Sequence, residues 1–120
     1  MPMDGTRRRG TISSKALGPA VALFRGLADP TRLAILQRLA RGEVRVAELV
    51  DALKLAQSTV SGHLACLREC GLVDSRPVGR QAFYALTRTE LVDLLAAAES
   101  LLAATGERVA LCSNYGTKRR

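Results

Sequence analysis

Cys66 and Cys70 stand four residues apart in a stretch of helical periodicity. At about 100° per residue their side chains project about 40° apart on one flank, where they can share a single ion as a bidentate thiolate clamp. The same spacing suits plain packing, because a free cysteine behaves as a small hydrophobe. Cys112 lies in an otherwise polar stretch near the C-terminus, where packing gives no reason for a thiol. His63, the only histidine, precedes Cys66 by three residues on the same flank and offers either a further metal donor or, with the DNA-reading residues of the same helix, a contact to phosphate. Three cysteines in 120 residues are too few and too oddly numbered for a secreted disulfide scaffold, and point to a reducing compartment with thiol or metal chemistry.

A second set of residues could read nucleic acid. Gln57, Ser58, Thr59, Ser61 and Gly62 crowd the first turns of the helix that carries the cysteine pair. Amide and hydroxyl groups at a helix N-terminus are what a major groove requires, since that end presents side chains to base edges and N–H groups to phosphate. Ser58, Gly62, Ala65 and Glu69 lie opposite the apolar stripe Val60, Leu64 and Leu67, so the outward face is small and polar. Further on, Arg80 with Arg76 and Gln81 nearby could grip a phosphate or the adjacent minor groove. Taken singly, such residues are also what an ordinary helix start or solvated turn would show; the ordered set is the argument for double-stranded DNA.

These residues need a scaffold, and the chain supplies signals for one. Leu17, Val21, Phe24 and Leu27 recur at helical spacing from Lys15 to about Ala28. Asp29 is a good N-cap and Pro30 suits the first position of the next helix, in which Leu33, Leu36 and Leu39 are expected to face inward until Gly42. Val46 to Leu53 reads as a short helix, and another runs from about Gln57 to Cys70 with Gly71 as its C-terminal cap. Two short helices separated by a tight turn, the second polar at its start, are the organisation of a helix-turn-helix. Leu72–Arg76 and Gln81–Leu86 read as two strands joined by Pro77-Val78-Gly79-Arg80, a basic hairpin wing. Thr87 to Glu90 fits a capping box opening a long helix of about 18 residues, apolar on more than one side, which suggests burial against a second chain. The expected organisation is a disordered basic arm over 1–13, a winged helix-turn-helix over 14–106, and a tail over 107–120. The fold class is mainly α (α+β).

The net charge of +7 and pI near 10.2 favour a polyanionic partner, although much of the excess sits at the ends, in Arg7–Arg9 and Lys118–Arg120. An enzyme is not expected. There is one histidine, no Cys-x-x-Cys, no phosphate-cradling glycine loop and no convergent carboxylate pair. Arg7–Arg9 followed by Ala16–Phe24 faintly imitates a signal peptide, but Lys15 and Arg25 interrupt it. No segment approaches the roughly 20 apolar residues needed to span a bilayer, and the chain reads as cytoplasmic with no membrane partner.

The segments Ala28-Asp29-Pro30-Thr31-Arg32-Leu33-Ala34-Ile35-Leu36 and Ser58-Thr59-Val60-Ser61-Gly62-His63-Leu64, followed by Leu67-Arg68 and Cys70-Gly71-Leu72-Val73, resemble the ArsR/SmtB family of metal-responsive repressors over about residues 15–105. The resemblance implies a homodimer whose first and last helices form the interface, bound to a palindromic operator and released by its inducer. Within that family, Cys-Leu-Arg-x-Cys-Gly-Leu plus one cysteine beyond the last helix resembles the cadmium/lead sensors, which implies Cys66, Cys70 and Cys112 as metal ligands. Other metal sites of the family look absent: Val44-Arg45-Val46 stands where some members carry a Cys-x-Cys pair, and the last helix has no histidine. Three soft thiolates suit Cd(II) or Pb(II), and would also fit As(III); Zn(II) would want a fourth ligand. Oxidation of Cys66 and Cys70 in place of metal binding is the rival for the inducer. The last helix should carry the chain about 27 Å from the wing. The residues from Gly106 to Cys112 reach back about 20 Å at most, so Cys112 either doubles back or crosses to the partner's helix.

Overall fold

A computed structural model describes residues 13–107 and Leu111. The basic arm and most of the tail, Cys112 included, lie outside the described residues. A single 3-10 turn, Lys15–Leu17, leads into α1 (Gly18–Leu27); α2 (Pro30–Leu39), β1 (Val44–Arg45), α3 (Val46–Leu53), α4 (Gln57–Glu69), β2 (Val73–Val78), β3 (Gln81–Leu86) and α5 (Thr89–Ala104) follow. Pro19 falls in the first turn of α1, where its missing N–H is not needed. Among the described residues no helix is long and apolar enough to cross a membrane.

The helix-turn-helix forms as its residues dictate. Asp29 is extended, and its carboxylate accepts from the Arg32 backbone N–H at 3.0 Å, which starts α2 at Pro30. α3 ends at Lys54, whose left-handed φ of 59° turns the chain into Leu55 and Ala56 before α4 begins. α4 is closed by Gly71 at φ 76°, with the Leu72 N–H returning to the Leu67 carbonyl at 3.0 Å. Val60, Leu64 and Leu67 are fully buried, joining Ile35, Leu36 and Leu49 in one core.

Four details differ from the sequence expectation. The sheet has three strands in the order β1-β3-β2, because the two residues of β1 pair with β3 (Val44 opposite Tyr84) in a segment too short to show any periodicity. β2 runs through Pro77 and Val78 to a two-residue Gly79-Arg80 turn, which an edge strand permits because a proline there need not donate to the ladder. Thr87 does not cap α5: the helix starts at Thr89, and the Thr87 hydroxyl instead donates to the Gly71 carbonyl at 2.6 Å, tying the start of α5 to the end of α4. The helical spacing of α1 does not itself say which side meets the core: Leu23, Gly26 and Leu27 do, whereas Leu17 (50% exposed), Val21 (47%) and Phe24 (58%) form an apolar stripe open to solvent. The fourth difference lies in α2, where Leu33 is only half-buried and Ile35 fills the core position beside Leu36 and Leu39.

Candidate nucleic-acid interface and thiol pair

α4 sorts its residues cleanly. Its apolar stripe is packed against α2 and α3, and Gln57, Ser58, Thr59, Ser61 and Gly62 are all exposed. No side chain caps its first turn, where the N-cap residue is Ala56, so the leading N–H groups are left to solvent or to an external acceptor. Gly62 sits in the helix interior, and a Cβ built there would meet nothing within 4 Å. Packing within the chain therefore gives no reason for the glycine, which costs about 1 kcal/mol of helix propensity relative to alanine.

His63 belongs to a different environment from these five. It is half-buried, its Nδ1 3.4 Å from an Arg32 guanidinium nitrogen and 3.9 Å from an Asp29 carboxylate oxygen. Arg32 also donates to the Gly26 carbonyl at 2.7 Å and the Arg25 carbonyl at 3.0 Å, the open C-terminal end of α1. The Asp29 carboxyl is held below its ordinary value chiefly by the Arg32 backbone N–H, with the charges of His63 and Arg32 adding to it. The sequence marks Asp29 as a cap; that Arg32 would join three helices has no local signature.

On the wing the expected cations part company. Arg80 stands exposed at the tip, in the turn that Gly79 makes with φ 62°. Arg76 is ion-paired with Glu43 at 2.5 Å and lies over the Phe83 ring, 5.5 Å from its centroid. Gln81 accepts from the Arg45 guanidinium at 3.2 Å. Glu43, the partner of Arg76, falls in a loop where charge alone did not single it out.

Cys66 and Cys70 are both free and half-buried near the end of α4. One helical turn apart, the two side chains lie on one flank of the helix; burial raises the Cys70 thiol above its ordinary value, and the adjacent Cys66 thiol raises it further. Cys70 Sγ also reaches the Ala22 carbonyl of α1 at 4.0 Å and packs on Gly26. Two adjacent thiols suit a soft ion as a bidentate clamp. Among the described residues no group of three His, Cys, Asp or Glu side chains could hold a metal, and His63 is turned to Arg32 and Asp29, so a complete site needs a donor from elsewhere. Beyond α5, Leu111 returns to its own chain: its N–H donates to the carboxylate of the buried Glu99, and its side chain packs on the core.

Residues 29–75 match the model of the bacterial regulatory protein, arsR family. The chain is 40% identical over 90 residues to a probable mercury resistance operon repressor of Streptomyces lividans, covering 75% of this chain and 72% of that protein. It is 48% identical over 73 residues to the HTH-type transcriptional regulator CmtR of Mycobacterium tuberculosis, a match that spans 61% of this chain and 62% of CmtR. Among solved structures, reduced HlyU from Vibrio cholerae superposes with a TM-score of 0.66 at 39% identity, covering 73% of this chain and 93% of that one.

Proposed function

Because this chain belongs to the ArsR family of DNA-binding bacterial regulators, we propose that it is a homodimeric repressor of an operator, released when a thiophilic cation binds. The cation is Cd(II) or Pb(II), and the donors are Cys66, Cys70 and Cys112. The observation that carries the reading is the division of α4: five exposed small or polar residues on its leading turns, and two neighbouring thiols on its last turns.

Gln57, Ser58, Thr59 and Ser61 read base edges, Gly62 lets the backbone come close, and the uncapped first turn receives a phosphate. Arg80 reaches the neighbouring backbone or minor groove from the wing tip. Arg76 and Gln81 act at one remove, through the contacts that shape the wing, and His63 through its hold on Arg32. The solvent-exposed stripe Leu17, Val21 and Phe24, together with Leu101 at 67% exposure on α5, supports burial of the first and last helices against a second copy. A bound soft cation would supply a crosslink between thiolates. Cys66 and Cys70 anchor it on the reading helix and Cys112 brings in the tail, so the spacing of two reading heads that must match half-sites about 34 Å apart would change. A 100-fold release requires about 2.7 kcal/mol of preference for the released form, within the ordinary range of allosteric coupling.

The mercury-operon relative supports a soft, sulfur-seeking inducer, and the same donors would take As(III), or Zn(II) with a fourth ligand. Oxidation is less well supported: Cys70 is raised, hence less of a thiolate, and both cysteines lie near the negative end of α4. The test is fluorescence anisotropy of the reduced protein on a labelled duplex from upstream of its own coding sequence. Tight metal-free binding is expected, with release by Cd(II) or Pb(II) that Cys66→Ser and Cys70→Ser largely abolish. Undiminished release in both variants overturns the assignment of the thiols, and release by an oxidant alone supports the redox reading in its place.

A further inference from the structure

The C-terminal half of α1 touches the reading helix at a point that neither cation nor DNA explains. Gly26 is buried on the inner side of α1, with its neighbour Leu27 in the core. An ideal Cβ at Gly26 would stand 2.9 Å from Cys70 Sγ and 3.7 Å from Cys70 Cβ. The first separation is shorter than real side chains tolerate, and the second is ordinary contact. The Cys70 sulfur thus occupies the volume a side chain at residue 26 would need, and the Ala22 carbonyl one turn back lies 4.0 Å from the same sulfur.

The clash is relieved only if the sulfur rotates out of the notch or the two helices part. The sulfur is the end of a short side chain on the last turn of α4, and Gly71 and Leu72 lock that turn. On the other side, the carbonyls of Arg25 and Gly26 are held by the Arg32 guanidinium, which also meets His63 two turns back along α4. α1 and α4 are therefore fastened at two points, one through Cys70 in the glycine notch and one through Arg32. The opposite side of α1 carries the exposed stripe Leu17, Val21 and Phe24.

We propose that Gly26 is a positioning residue for operator recognition: its missing side chain is the socket that seats Cys70 and fixes the reading helix relative to the helix that meets the second copy. The link to operator affinity rests on the homodimeric reading above; the socket itself does not. Elsewhere in a helix, Gly→Ala adds helix propensity. Here it overpacks a contact between helices, which destabilises and shifts backbone.

The experiment uses the metal-free, reduced, full-length protein. Gly26→Ala is expected to lower affinity for the upstream duplex about tenfold, or about 1.4 kcal/mol, without changing the sedimentation coefficient. Adding Cys70→Ala to it should bring affinity back to within about twofold of Cys70→Ala alone, because the remaining 3.7 Å contact is ordinary. In a second arm that needs no DNA, Cys70 is the sole cysteine in a Cys66→Ser, Cys112→Ser background. There Gly26→Ala should raise its rate of alkylation by iodoacetamide about tenfold as the sulfur leaves the notch. An unchanged alkylation rate overturns the socket. A raised rate with unchanged operator affinity overturns its role in recognition, as does affinity lost in Gly26→Ala and not regained in the double variant. Should Gly26→Ala fail to fold, Gly26→Ala/Cys70→Ala must fold and bind, and its failure also overturns the proposal.

Discussion

Replacing Gly62 by alanine should move stability and operator binding in opposite directions. The residue lies inside α4, exposed, and a Cβ there meets no atom of the chain within 4 Å. No contact is lost and no clash is made, so the fold feels only the gain in helix propensity, about 1 kcal/mol. For a domain of this size that raises Tm by about 4 °C. The bound state differs, because the methyl would stand between the helix backbone and the duplex. Forcing the helix outward enough to lose one good contact to a base costs about 1–3 kcal/mol, a loss of roughly fivefold to 150-fold in affinity. Differential scanning calorimetry and anisotropy on the upstream duplex read the two effects separately. A higher Tm with unchanged affinity would refute the idea that this face approaches DNA closely; a lower Tm would refute the description of its surroundings.

Lys54→Gly should raise the urea midpoint by an amount equivalent to about 0.5–1 kcal/mol, since the left-handed backbone at φ 59° strains a lysine more than the added chain entropy of glycine costs; a lower midpoint would contradict this. Arg80→Ala should weaken operator binding uniformly across duplex sequences and reduce the slope of log affinity against log salt by about one, while Arg76→Ala, already committed to Glu43 and Phe83, should disturb the wing and leave that slope nearer its original value. Burial raises the Cys70 thiol above its ordinary 9.0, so the fold favours its protonated form. The resulting stability is fully present below pH 9.0 and is lost as pH rises through the elevated value, so Cys70→Ala should flatten the decline in urea midpoint toward about pH 10; an equal decline in both proteins would count against it.

The parts legible in the sequence were those written into single elements. Asp29-Pro30 and Gly71 carry their own backbone requirements, and the Val60, Leu64 and Leu67 stripe can face only a core, so the helix-turn-helix and the exposed polar start of α4 follow from local chemistry. What escaped depends on two elements meeting. Leu17, Val21, Phe24 and Leu27 share one helical periodicity, yet only Leu27 of the four packs on the core, beside Leu23, and the sequence cannot say which side the domain takes. Thr87 has the spacing of a cap, but the Gly71 carbonyl offers its hydroxyl another partner. His63 was legible as a candidate contact to DNA or metal, whereas its engagement by Arg32 and Asp29 comes from packing α2 on α4. The cysteine pair was legible from spacing, and the notch that receives Cys70 was not, because Gly26 reads in sequence as an ordinary helical glycine.

In the proposed function, the helix that reads DNA supplies a sulfur pair and the tail a third donor to one soft cation. Titrating the reduced protein with Cd(II) and following the ultraviolet thiolate-to-metal band tests it most directly. The expected band saturates at one ion per chain, weakens by about a third in Cys112→Ser and disappears in Cys66→Ser/Cys70→Ser, since its intensity follows the number of bound thiolates. A reduced protein that shows no band, or a band undiminished in those variants, would contradict it.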